Sequence, residues 1–316
     1  MHSSISSSEP AAPLALRQRP APYAKGAGVT LLLLALILAA LETGTRVVFR
    51  RVSRLENRIM VDHRNALSLR PGTKPHILLL GNSLLLEGLD YDALHKSLAP
   101  DAEVTRFVIE GTTYYDWYYG IRRLLASGSR PDRIVLCMSA LNLLGAGIRG
   151  DYSAYYLFQT QDIAGIARSI HYDTTKASNL VFARYSLFYA ARNNMRNFIL
   201  GKVDPAYSAL INHIQFSRSQ LPPSNEIEHS AEQRLRALNS ECARYRVPFV
   251  FLIPPAIDAH GERELLEAGR LSGTSVSVPI AGGTLPADLF RDGFHLNSRG
   301  AAVFTDALAR DLRATR

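Results

Sequence analysis

Three side chains in this 316-residue chain have the types and the order for nucleophilic chemistry: Ser83, Asp292 and His295. The serine closes the stretch His76-Ile-Leu-Leu-Leu-Gly-Asn-Ser83. An apolar run, Ile77 to Leu80, breaks abruptly into Gly81-Asn82-Ser83, the pattern of a buried parallel strand that delivers a serine to the turn at its carboxyl end. Open α/β sheets place their chemistry at that edge. Gly81 permits a close approach or backbone angles there that a larger residue would hinder. A plainer reading stays open: Ser83 or Asn82 as a cap for the first N–H groups of the next helix, which on this stretch alone is the commoner use. Far downstream, Leu289 to Asn297 sets Asp292 three residues before His295, just ahead of a helical pattern that runs to the C-terminus. On a loop turning into a helix, that spacing lets the carboxylate meet the imidazole and fix its tautomer, or lets both reach a common centre.

Gly81-Asn82-Ser83-Leu84 and Asp292-Gly293-Phe294-His295 resemble the first and last blocks of the SGNH/GDSL hydrolase superfamily. The resemblance covers about residues 76 to 313, and its final block is the more specific half. It implies a three-layer α/β/α, flavodoxin-like SGNH hydrolase fold with a parallel sheet. It also implies Ser83 as nucleophile, His295 as base, Asp292 as the group that orients it, and an oxyanion hole. The family takes one oxyanion donor from the N–H of the serine, here Ser83. A second comes from a glycine at the end of the second strand, a place held by Gly111 in Ile109-Glu110-Gly111-Thr112-Thr113; by itself Gly111 reads equally as a strand-to-helix glycine. The third donor is the asparagine of a Gly-x-Asn-Asp block, and here the chain departs from the family. In Ser139-Ala140-Leu141-Asn142 the glycine is a serine and Leu141 falls where the asparagine belongs. A shift of one residue gives the role to Asn142, with a turn or cap as the competing reading.

The elements that must hold these residues follow from periodicity and punctuation. Strands are expected at His76 to Leu80, Glu103 to Ile109, Arg133 to Met138, Pro248 to Ile253 and, short, Ser275 to Ile280; helices at Asp90 to Leu98 and Glu226 to Tyr245. The aromatic run Tyr114-Tyr115-Asp116-Trp117-Tyr118-Tyr119 lies on a helix, where only part of it can be core; packing between helix and sheet is the plain reading and stacking on sugars the sharper one. Residues 150–221 match no family block. Leu180, Phe182, Tyr185, Leu187 and Phe188 recur at helical spacing there, so a helical insertion is expected that caps the site or packs on stalk or membrane.

Length and a 47% hydrophobic content suit one catalytic domain, 76–316, plus an anchor. Residues 1–25, rich in Ser, Pro and Ala, are expected to be a disordered tail. Gly26 to Leu41 is an uncharged apolar run that, continued to Thr45, makes a single uncleaved transmembrane anchor at 26–45; no good Ala-x-Ala cleavage site follows it. Residues 46–75 are expected to be a juxtamembrane stalk, closed by Arg70-Pro71-Gly72. Net charge is +8. Arg46, Arg50, Arg51, Arg54 and Arg58 follow the apolar run, a pattern of membrane-surface contact, and no nucleic-acid-binding motif accompanies them. Taken literally, those arginines would keep the domain cytoplasmic. Membrane-anchored bacterial members of the resembled superfamily face the periplasm, so a bacterial inner-membrane protein with a periplasmic domain is the expectation by resemblance. Cys137 and Cys242 lack metal-ligand neighbours and read as buried thiols, with a disulfide as the alternative. No cofactor is implied. The resemblance suggests an esterase or O-acyltransferase on an acylated glycan or other acyl ester, with a membrane acyl-transfer partner in the second case. A catalytically inactive, glycan-binding or scaffolding domain is the alternative, favoured by the irregular third block.

Overall fold

The computed structural model describes residues 23–204 and 221–314. The tail expected at 1–25 lies outside them, except for Tyr23 to Lys25, which open a helix. Five strands form one sheet: β1 (His76–Gly81), β2 (Glu103–Val108), β3 (Arg133–Cys137), β4 (Phe249–Leu252) and β5 (Ser275–Ser277). Every pairing is parallel and the order is β2-β1-β3-β4-β5. This is the flavodoxin-like doubly wound order, whose direction reverses between β1 and β3. The central strands β1, β3 and β4 are apolar almost throughout because both faces are covered, while the edge strands β2 and β5 carry polar residues. Leu78, Leu80, Ile134, Leu136 and Phe251 point into one core, while Ile77, Leu79, Val135, Cys137 and Leu252 point into the other. That period-2 division makes three layers.

The N-terminal helix α1 (Tyr23–Gly44) continues through a π-turn, Thr45–Phe49, and a last turn, Arg50–Val52. The 27 residues Gly26–Val52 are long and apolar enough to cross a membrane, and none of the most apolar window is buried against protein. At 1.5 Å per residue they extend about 40 Å, against the roughly 30 Å of a hydrocarbon core. The segment expected as a stalk is mostly folded onto the domain. Ser53 caps α2 (Arg54–Ser68), accepting from the Glu56 N–H, and Ile59 and Ala66 of this helix are fully buried in the core. A sequence of alternating basic and apolar residues hid an amphipathic face.

On the other face of the sheet lie α3 (Ser83–Gly88), α4 (Tyr91–Leu98) and, at the C-terminus, the helix Ser298–Ala314. The α2 side carries α5 (Tyr114–Ala126), the short α6 (Ala140–Leu144) and the insertion. The described part of the insertion is helical: α7 (Asp151–Leu157), α8 (Ile163–Ser169), α9 (Thr174–Tyr185) and α10 (Leu187–Val203). It packs on the end of the N-terminal helix. Glu42 accepts from the Ser186 hydroxyl and from the N–H groups of Leu187 and Phe188 that open α10, and Phe49 meets Phe198 edge-on at 5.8 Å. Next come α11 (Ser224–Ala243) and α12 (Glu262–Ser272), and the C-terminal helix is α13. Cys137 and Cys242 are both free and buried.

Candidate active site

Gly81 ends β1 where an added Cβ would lie 3.0 Å from both the Cys137 carbonyl oxygen and Leu85 Cβ, so the turn closes tightly only without a side chain. Asn82 then caps α3, its Oδ1 accepting from the Leu84 N–H at 3.0 Å, while its Nδ2 donates to the Thr112 carbonyl at 3.2 Å. Capping is thus done by Asn82. Ser83, the first helical residue, is left with its hydroxyl free for another partner, and its own N–H belongs to the first helical turn, which lacks intrahelical acceptors.

That partner is His295. Ser83 Oγ and His295 Nε2 are 2.9 Å apart across 212 positions of sequence, and His295 Nδ1 is 2.9 Å from Asp292 Oδ2. The Asp292-to-His295 loop is closed by an antiparallel bridge between Phe290 and Leu296 and by the Arg291 N–H donating to the His295 carbonyl. Within it, Asp292 Oδ1 accepts from the N–H groups of Phe294 and His295. One carboxylate oxygen is thereby held by backbone and the other faces the ring. Partial burial pushes the Asp292 carboxyl upward, but the His295 N–H, the His295 ring and the Phe294 N–H outweigh it and hold the group down at about 2. A carboxylate only accepts, so the imidazole proton sits on Nδ1 and Nε2 accepts from the serine hydroxyl. Arg291 adds a cation, bonded to Glu87 and 3.3 Å from Asp292 Oδ2.

The three strand-end turns meet at this edge. The Ile109 N–H donates to the Gly81 carbonyl, which with the Asn82–Thr112 bond ties the β2 turn to the serine turn. Gly111 adopts φ +72, in the left-handed region, and a Cβ there would lie 3.2 Å from Arg149 Nη1. Ser139 caps α6, accepting from the Asn142 N–H, while its hydroxyl donates to Asn142 Oδ1 at 2.8 Å. That bond occupies the oxygen of the Asn142 amide and leaves its NH2 as the end that can donate. Arg234 holds the same turn, donating to the carbonyls of Leu143 and Gly145. Its guanidinium lies over the rings of Tyr114 and Tyr115. The aromatic run therefore divides: Trp117 and Tyr114 are core, with the Trp117 indole donating to Thr112 Oγ1, while Tyr115, Tyr118 and Tyr119 are half-buried.

Two residues escaped the sequence reading. Arg149 stands beside Gly111, its backbone N–H held by Asp116; nothing local in Gly145 to Arg149 signals this. Asn82 could be seen as a cap, but its bond to the β2 turn could not.

No family model matches this chain, and no curated protein matches it. Among solved structures, the chain is similar to a psychrotrophic esterase, EstA, from Pseudoalteromonas sp. (11% identity, TM-score 0.39, covering 76% of this chain and 98% of that one). It is similar also to a catalytic mutant of the acetylxylan esterase Axe2 from Geobacillus stearothermophilus (13%, 0.39, 77% and 96%) and to TesA (12%, 0.38, 76% and 98%). Likeness this distant carries no weight for function, which rests on the site's own geometry.

Proposed function

We propose that this protein is a serine-dependent acyl-ester enzyme, a hydrolase or O-acyltransferase, anchored in a membrane by its N-terminal helix. The observation that supports it is the continuous chain Ser83 Oγ, His295 Nε2, His295 Nδ1, Asp292 Oδ2, with 2.9 Å at each hydrogen bond, at the carboxyl edge of the sheet. Ser83 Oγ attacks the ester carbonyl as its proton passes to His295 Nε2, and Asp292 stabilises the imidazolium that forms. The N–H groups of Ser83 and Gly111 and the Asn142 amide are assigned to the oxyanion. Collapse expels the alcohol, protonated by His295, and leaves an acyl-enzyme; water or a second hydroxyl then accepts the acyl group with His295 again as base. The resemblance to the SGNH/GDSL superfamily extends the reading to acyl groups of cell-envelope or exported polysaccharide and to a periplasmic domain, as analogy.

The test uses the full-length protein in detergent, because α2 contributes to the core and a truncation near residue 70 would remove it. Wild type should hydrolyse an aryl acetate, and Ser83→Ala should lower turnover by about a thousand-fold or more. Adding a polysaccharide acceptor and following acyl-glycan formation separates transfer from hydrolysis. A folded protein with no Ser83-dependent turnover would leave a glycan-binding or scaffolding domain in place of an enzyme.

A further inference from the structure

Where the apolar helix meets the domain, a cavity of about 390 Å³ opens between the end of that helix, α2, α5, α7 and α9. Its volume is in the range of small-ligand sites. Five arginines line it, Arg46, Arg50, Arg64, Arg123 and Arg184, with His63 and three tyrosines among the remainder, and no carboxylate lines it among the described residues. Two carboxylates on the adjoining helices are already engaged: Glu42 pairs with Arg46 and caps α10, and Glu56 accepts from the hydroxyls of Tyr152 and Tyr156. Three buried nitrogens here, Arg50 Nε, Arg184 Nε and His63 Nε2, make no hydrogen bond among the described residues. Buried polar groups are normally paired, and two of these nitrogens sit on guanidinium cations in one concavity, which is costly to assemble. Burial and then Arg184 bring the Arg123 guanidinium down to about 10, and burial followed by Arg123, Arg184 and Arg50 brings His63 down to about 3.

We infer that this arginine cavity binds a phosphate or diphosphate group. Planar guanidinium forks pair two-fold with phosphate oxygens, and several around one cavity match an anion of more than one charge. Arg46 and Arg50 lie in the last turns of the membrane-length helix, which would bring them to the headgroup layer if that helix spans a bilayer. Tyr185, exposed at the cavity's edge, supplies a ring of the kind enriched at that level. The same chemistry is offered by a free diphosphate and by an anionic lipid headgroup, and this site is independent of the serine site.

The test takes full-length protein in detergent and two probes. Inorganic pyrophosphate is titrated calorimetrically, and retention of phosphatidylglycerol against phosphatidylcholine is read by native mass spectrometry. Arg50→Gln/Arg184→Gln removes two cavity cations whose buried Nε atoms make no hydrogen bond among the described residues, and Arg51→Gln/Arg54→Gln removes two exposed charges from the same region. Pyrophosphate binding weakened about a hundred-fold in the cavity variant, and little in the surface variant, supports a site open to free phosphate groups. Selective retention of phosphatidylglycerol, lost in the cavity variant alone, supports a headgroup site. Equal loss in both variants means diffuse attraction and overturns the inference, as does wild type that holds neither probe. If the cavity variant does not fold, pyrophosphate or phosphatidylglycerol must still raise the Tm of wild type in a concentration-dependent way; a flat response to both overturns it.

Discussion

At the scale of single residues, the site depends on groups whose worth lies in direction as much as in type. Asp292 is useful because two backbone N–H groups fix one of its oxygens and aim the other at His295 Nδ1. Asp292→Asn keeps the shape but allows the wrong imidazole tautomer, and turnover should fall by about a thousand- to ten-thousand-fold with the fold intact, measured on the aryl ester. Its carboxyl lies below the ordinary value of 3.8, at about 2. The loop's stabilisation is thus complete above about pH 4 and lost as pH falls through about 2, so an acid titration of Asp292→Asn should be flatter than wild type in that window. Asn142→Ala tests the irregular third donor. If its amide serves the oxyanion, turnover drops about a hundred- to a thousand-fold, and a folded variant with near-normal turnover leaves only the two backbone donors. Gly111→Ala meets two costs, a left-handed φ and the guanidinium of Arg149, and should lose about 1–2 kcal/mol in denaturant unfolding. Arg149→Ala should relieve the steric part, a coupling that a double-mutant cycle reads directly.

At the scale of elements, the sheet's carboxyl edge collects three turns because the strands all run parallel, and the strand order turns back between β1 and β3, where a crevice opens. The serine turn follows β1, the glycine turn β2 and the asparagine turn β3. On the α2 side, His63 packs its ring against Phe107 and Tyr156. Its folded value of about 3 lies below the ordinary 6.5. The unfolded chain therefore takes up a proton below about pH 6.5 that the folded chain refuses, and stability falls as pH drops from about 6.5 toward 3, by roughly 1.4 kcal/mol per pH unit at most. Asp62 and Asp116, both raised to about 6 chiefly by burial, act in the opposite sense between about pH 4 and 6. His63→Phe isolates the imidazole: its unfolding free energy should lose less than wild type's between pH 6.5 and 4.5, and parallel curves would remove His63 as the source.

At the scale of the whole molecule, the membrane-length helix and the domain are tied together. Thr45 and Phe49 are buried, Glu42 caps α10, and α2 runs on from Ser53 into the core. Arg58, counted among the surface arginines by sequence, instead donates to the Val108 carbonyl and pairs with Glu110 at the end of β2. The protein should resist carbonate extraction from membranes, since a spanning helix does not leave when surface charge is screened. Protease added to spheroplasts should digest a periplasmic domain; protection lost only on lysis would place it in the cytoplasm.

The sequence by itself determined the parallel strands, the helical insertion and the Ser83, Asp292 and His295 spacing, because apolar runs, turn residues and a three-residue carboxylate–imidazole interval are local signals. The serine's role was not local: Asn82 and Ser83 were equal candidates for the helix cap until His295, 212 residues away, took the Ser83 hydroxyl. Nor could periodicity tell that 54–68 belongs to the core, since its charged residues are satisfied by partners brought in from elsewhere: Glu56 by Tyr152 and Tyr156, Arg58 by Glu110. Only tertiary structure set Arg149 beside Gly111 and gathered arginines 46, 50, 64, 123 and 184 into one cavity. Their placement follows from how helices separated by over a hundred residues pack together, and no spacing along the chain records that.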